Sequence, residues 1–202
     1  MDIAGFITII ISAVFINNFI LTRFLGLCSF IGVSKRIGPS VSMGAAVTFV
    51  TTMASVITWL IYDFILLPFG LEYMRTISFI LVIASFVQFT EIVIQKKSPA
   101  LYRVFGIYLP LITVNCAVFC VAVLNTDVFF LHGRAVQQSF LKAVVQGFGA
   151  GAGYTLAMLI MSGLRERLEF AEVPASLRDV PITFIVASIM SLAFLGFSGF
   201  RI

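Results

Sequence analysis

The sequence predicts an all-α membrane protein. It has six transmembrane helices set out as a 3+3 inverted-topology repeat, with helices 1 and 4 broken into half-helices. Three observations carry this. The 202-residue chain is 60% hydrophobic and only 11% charged, with a mean hydropathy of +1.11, which is too apolar for a soluble core under a solvated surface. Its apolar residues gather into six runs, each near or above the ~20 residues that a helix needs to cross a bilayer. Short motifs recur in the same order in both halves of the chain. An outer-membrane barrel is excluded, because its strands are short and alternate polar with apolar residues.

The six runs cover residues 3–22, 41–62, 75–95, 99–125, 139–163 and 180–200. The first has no basic start and no small-residue cleavage site, so it reads as a span and not a cleavable signal peptide. The chain is therefore one integral membrane domain over 1–202, its halves falling at about 1–97 and 98–202. No soluble domain is visible. The net charge of +4 does not point to nucleic acid here, since basic residues in membrane proteins mark the cytoplasmic side. The connections after runs 1, 3 and 5 hold Arg23, Lys35, Arg36, Lys96, Lys97, Arg103, Arg165, Arg167 and Arg178. The opposite side holds Arg75, Arg134, Lys142 and Arg201. That asymmetry puts both termini on the outer side. Trp59 and Tyr62 close run 2, where an outer interfacial belt is expected.

The repeat is read from two echoes. "GAAVT" (44–48) in run 2 returns as "GAGYT" (151–155) in run 5, and "TISFI" (76–80) in run 3 as "PITFI" (181–185) in run 6. Three spans per half is an odd number, so the halves enter the membrane from opposite sides. Run 1 then pairs with run 4, and both are anomalous. From Ile3 to Val33 the chain is nearly uncharged, interrupted mainly by Asn17, Asn18 and Arg23; from Pro99 to Leu124 it is interrupted by Arg103, Pro110 and Asn115. At ~1.5 Å per residue such runs overshoot a ~30 Å hydrocarbon core. A break at depth resolves this, provided the freed backbone groups face protein or a cavity. Pro110 removes a backbone donor and Asn115 can satisfy freed groups. Gly26 and Gly32, around "LGLCSFIG", permit an irregular backbone.

Each predicted break carries a cysteine, Cys28 and Cys116. A lone buried cysteine packs as a small hydrophobe; a third, Cys120, one turn after Cys116, is a possible third ligand, but it has no counterpart in the first half and reads as packing. Two thiols at corresponding breaks of an inverted repeat meet instead near the pseudo-twofold axis at mid-depth. The common iron–sulfur clusters take four cysteines, so this chain would supply half of a set and a partner the rest.

The stretches "NNFILTRFLGLCSFIGVSK" (17–35), "FILVIASFVQFTE" (79–91), "SPALYRVFGIYLPLITVNCAVF" (98–119), "RERL" (165–168) and "SLAFLGFSGF" (191–200) resemble the A subunits of the Rnf electron-transport complexes. They are similar too to the E subunits of the sodium-pumping NADH:quinone reductases (Nqr), a sister group. The resemblance implies a bacterial cytoplasmic-membrane component of a ferredoxin:NAD oxidoreductase that couples electron transfer to sodium or proton translocation. It implies pairing with a homologous E subunit inserted in the opposite orientation, beside the B, C, D and G subunits. It also implies one [2Fe–2S] cluster shared by the pair, with Cys28 and Cys116 as this chain's ligands and flavins only on other subunits. Redox change at that site would then bias the half-helices between inward-open and outward-open arrangements.

Other residues carry weaker signals. Glu91, one turn after Gln88 in run 3, is an acid inside a span and hence an ion-path candidate, although Lys96 and Lys97 follow closely. Asn17, Asn18, Thr113 and Asn115 offer neutral oxygens that can coordinate sodium or satisfy freed backbone groups. "GFGAGAG" (147–153) opens a membrane helix and not a βαβ unit, so it reads as helix packing and not dinucleotide binding. The loop with Arg165, Glu166, Arg167, Glu169 and Glu172 is a solvated face or a docking surface. His132, the single histidine, makes a poor metal site. No P-loop or Ser/His/Asp set is present. A non-redox inverted-repeat transporter and a pure scaffold are the competing functions; neither requires paired thiols.

Overall fold

The computed structural model describes residues 3–97, 111–112, 115–129, 136–170, 174, 177 and 179–196. Among these the secondary structure is helical. Helix α1 (Ile3–Ile11) runs into a π turn, Ser12–Ile16, and is followed by α2 (Phe19–Arg23), α3 (Leu27–Val33) and α4 (Ile37–Ile61). Helix α4 continues through a second π turn, Tyr62–Leu66, and a last turn, Leu67–Phe69, to a left-handed Gly70. Then come α5 (Arg75–Lys97), α6 (Cys116–Phe129), α7 (Val136–Glu169) and α8 (Val180–Leu195). Three stretches are long and apolar enough to cross a membrane: Ile37–Phe69, Arg75–Val93 and Phe140–Glu169. The helical stretches Gly5–Ile16, Cys116–Asp127 and Val180–Leu195 are apolar but shorter. Runs 2, 3, 5 and 6 thus correspond to α4, α5, α7 and α8, and runs 1 and 4 contain the short pieces.

The centre of the molecule is the α4–α7 pair, and its glycines explain the close approach. A Cβ on Gly151 would lie 2.5 Å from Thr48 Cα, and one on Gly44 would lie 2.6 Å from Thr155 Cγ2. The two motifs that echo each other in sequence are therefore in contact, and reciprocally: the glycine of each meets the threonine of the other. The two threonine hydroxyls share a hydrogen bond of 3.1 Å. One turn toward the other end, a Cβ on Gly147 would collide with Ser55 Oγ. The opposite face of the same glycine run packs on α1, with Gly149 against Ala13 and Gly153 against the backbone of Ala13 and Val14. The glycine-rich stretch is thus a two-sided packing surface, which suits helices held by contact between small residues.

Around this pair the buried apolar core includes Phe30, Val47, Phe79, Ala157, Met158 and Met161. Trp59 and Tyr62 are both buried, Trp59 edge-on to Phe140 and Tyr62 edge-on to Phe79. An ion pair between Arg75 and Asp127 ties the start of α5 to the end of α6.

Candidate functional site

Two interruptions of the helical backbone build the site. In run 1 the chain leaves its π turn at Asn17, whose N–H bonds Ser12 O at 2.7 Å. Asn18 then takes an extended conformation and caps α2, its Oδ1 accepting the N–H of Ile20 at 3.2 Å. Its Nδ2 donates to Val14 O at 3.1 Å and across to Gly153 O at 2.9 Å. Helix α2 lasts five residues and ends at Phe24 and Gly26, both left-handed at φ 53° and 79°. Helix α3 begins immediately after. Gly26 is obligatory twice over: its φ favours glycine, and a Cβ there would stand 2.9 Å from Asn115 Oδ1. Gly32, by contrast, lies inside α3 with nothing within 4 Å of a Cβ, so it takes no part in the break.

The second interruption uses the same device. Asn115 is non-helical, and its Oδ1 accepts the N–H of Ala117 at 3.0 Å, as Asn18 does two residues ahead. Its Nδ2 donates to Ser29 Oγ at 3.3 Å. Ser29 Oγ in turn shares a 2.6 Å hydrogen bond with the Tyr154 hydroxyl and donates to Gly26 O. Asn18, Asn115, Ser29 and Tyr154 are all buried, so these bonds carry full weight in an apolar interior. Pro110 and Thr113 lie outside the described residues.

The bonds also fix the level of the site. Asn18 bonds Gly153 and Ser29 bonds Tyr154, adjacent residues at the midpoint of the 34-residue α7. The chain from Asn18 to Ser29 therefore makes almost no net progress along the span. It turns sideways through α2 and comes back, with Leu21 O receiving the Ser191 hydroxyl of α8. Arg23, read from sequence as a loop charge, sits inside this excursion, at the depth of the break and not beyond it.

Cys28 and Cys116 are both exposed. Cys28 adjoins Ser29 and Cys116 adjoins Asn115, so the neighbours of the two cysteines are hydrogen-bonded to one another. The cysteines correspond in level but not in spacing from the capping asparagines: Cys116 directly follows Asn115, whereas Cys28 lies beyond α2 from Asn18. Cys120 is half-buried, with the Arg23 charge near its thiol. No group of three or more His, Cys, Asp or Glu gathers among the described residues. The chain thus presents two soft donors outward from one level. That donor chemistry fits half of a four-thiolate set completed by a neighbour.

At the other end of α3, α7 supplies a fastening. Arg165 Nη1 donates to Ile31 O at 2.8 Å and Ser34 Oγ at 2.9 Å, and Glu166 Oε1 accepts the Ile37 N–H at 3.1 Å. Two residues of "RERL" thus satisfy the end of the Cys28-bearing half-helix and the start of α4. Of the ion-path candidates, Asn18 uses both side-chain atoms on protein groups, and Asn17 Nδ2 donates to Ser12 Oγ. Glu91 is half-buried on α5 and has no hydrogen bond or ion pair with Asn17, Asn18 or Asn115 among the described residues. Sequence reasoning did not find Ser29 and Tyr154; only their position at the break distinguishes them.

Replacing Asn18 by Ala removes a cap and leaves Gly153 O without its donor. The expected cost is about 2–3 kcal/mol, a fall of roughly 4–10 °C in the melting midpoint of the purified complex. A midpoint within one degree of the parent would mean that Asn18 does not fix the break.

A chain that is helical among its described residues, with membrane-length apolar helices and two capped interruptions that meet beside the middle of α7, is an integral membrane protein with broken helices. The family described as "Rnf-Nqr subunit, membrane protein" matches residues 6–201, and the chain belongs to that family. It is 49% identical over 196 residues to the A subunit of the proton-translocating ferredoxin:NAD(+) oxidoreductase complex of Clostridium ljungdahlii, covering 97% of each chain. It is 51% and 50% identical to the A subunits of the ion-translocating oxidoreductase complexes of Yersinia enterocolitica and Pseudoalteromonas atlantica, covering 96% of each chain in both cases.

Proposed function

We propose that this chain is the A-type subunit of an ion-translocating ferredoxin:NAD oxidoreductase of the Rnf kind, and that it serves in membrane electron transfer. In this reading Cys28 and Cys116 are two of the four ligands of a [2Fe–2S] cluster shared with a homologous, oppositely inserted E subunit. Flavins stay on other subunits of the complex. One observation carries the reading: the two cysteines face outward beside backbone breaks whose adjoining residues, Ser29 and Asn115, are bonded to each other. When bound, the cluster supplies one-electron transfer. This chain's own part is to hold two thiolates at fixed separation. Asn115 and Gly26 set the contact between the breaks, Ser29 and Tyr154 anchor it to α7, and Arg165 and Glu166 hold the far end of α3.

The reciprocal contact of Gly44 with Thr155 and Gly151 with Thr48 supports the 3+3 inverted repeat, because a pseudo-twofold axis between the halves would bring matching residues together in this reciprocal way. The reading places the chain in the bacterial cytoplasmic membrane with both termini outside. Sodium or proton passage is coupled to electron transfer by movement of the half-helices, with Asn17, Asn115, Thr113 and Glu91 as candidate path residues. The test is a paramagnetic resonance spectrum of the chain purified with its partner subunits. A dithionite-reducible [2Fe–2S] signal assigned to the A–E pair is the expected result. Ion flux by an A–E pair that contains no iron would overturn the electron-transfer role in favour of a non-redox transporter.

A further inference from the structure

Arg23 is the one charged side chain between Asn18 and Gly26, within the interruption of run 1. It is exposed, and among the described residues it has no carboxylate partner, the single ion pair there being Arg75–Asp127. Its depth follows from the bonds that bracket it: Asn18 to Gly153 on one side and Ser29 to Tyr154 on the other, both at the middle of α7. A guanidinium at such depth is costly unless it meets an opposite charge or a wet cavity. Its positive charge lies near enough to Cys120 to act on that thiol. Cys120 lies one turn after Cys116 on α6, so the two share a helix face. The arginine is therefore directed toward the face that carries Cys116.

We infer that Arg23 supplies the positive charge that balances the Cys28/Cys116 site and sets its reduction potential. The inference rests on the assignment of those cysteines as cluster ligands. Two ferric ions, two sulfides and four thiolates sum to a charge of about −2, and one electron from a low-potential iron–sulfur carrier brings it to about −3. No bond is made or broken, so the step is purely a gain of negative charge in a low-dielectric setting. A fixed cation nearby favours the reduced form over the oxidised one. Without it the same site accepts an electron less readily. Arg23 is a positioning and tuning residue, not a ligand.

The test uses the whole purified complex and a redox titration followed by paramagnetic resonance. Arg23→Gln is expected to keep the [2Fe–2S] signal but to lower its midpoint by at least a tenfold change in the reduction equilibrium, about 59 mV for one electron. Arg23→Lys, which keeps the charge, is expected to stay near the parent value. An Arg23→Gln complex with an intact cluster and an unchanged midpoint would overturn the inference. Failure of Arg23→Gln to assemble, restored by Arg23→Lys with the parent midpoint, supports the charge. Failure of both to assemble overturns it, because the guanidinium is then a structural contact, as in an ion pair with a partner carboxylate. Cys28→Ser and Cys116→Ser run alongside. If they keep the signal, the ligand assignment fails whatever Arg23 does; if they lose it, the Arg23 result stands alone.

Discussion

Replacing Cys28 or Cys116 by serine is expected to abolish the reducible [2Fe–2S] signal of the purified complex while the chain still reaches the membrane. Serine differs from cysteine by one atom. Both side chains are exposed, and surface substitutions usually change stability by about 0.5 kcal/mol or less. Folding should therefore survive. Iron binding should not, because a neutral hydroxyl is a poor substitute for a thiolate as a soft, anionic ligand. Cys120→Ser is the internal control. Cys120 is half-buried beside Arg23 and lies outside the pair that adjoins Ser29 and Asn115, so its loss should leave the signal in place. Iron content and spectrum unchanged in both the Cys28 and Cys116 variants would refute the assignment. Loss of signal in Cys120→Ser alone would mean that the ligand pair has been misread.

Gly151→Leu is expected to destroy the fold. The first added carbon would fall 2.5 Å from Thr48 Cα, with Thr51 Oγ1 at 2.8 Å. The obstacle is partly main chain and cannot rotate aside. Ordinary overpacking costs about 1–3 kcal/mol, and here two long helices must separate. In a bilayer no hydrophobic force pulls them back, since lipid tails are as apolar as leucine. A loss of about 4 kcal/mol or more is expected, and with it loss of chain accumulation and of complex recovery. Gly163→Leu on the same helix is the matched control, since nothing lies within 4 Å of a Cβ there. Equal yields and melting midpoints for the two variants would show that the α4–α7 contact is not as close as described.

Much of this architecture was legible in the sequence because it rests on composition and small residues. The runs that became α4, α5, α7 and α8 were visible as apolar stretches. The glycine run was predicted to pack, and it does, one face against α4 and the other against α1 and its π turn. The existence of breaks in runs 1 and 4 followed from length alone, and Gly26 was rightly placed in the first. What was not legible was depth. Arg23 looked like a loop charge because a linear sequence does not reveal that the chain turns sideways between Asn18 and Ser29. Gly32 looked as permissive as Gly26, and only the bonds at Asn18, Phe24 and Gly26 separate them. Trp59 and Tyr62 suit an interface by chemistry, and the sequence does not show that they pack edge-on to Phe140 and Phe79. Ser29 and Tyr154, 125 residues apart, are single hydroxyls in apolar surroundings and carry no periodic signal.

The sideways course of the chain from Asn18 to Ser29 also bears on voltage. On the proposed function, a carrier held level with the midpoint of α7 would divide a ~30 Å insulator into two gaps of ~15 Å. An electron arriving there would have crossed about half of the transmembrane potential, worth roughly 1.2 kcal/mol per 100 mV. Neither hop would then work against the whole field, and each would respond to the energised state of the cell by about the same amount.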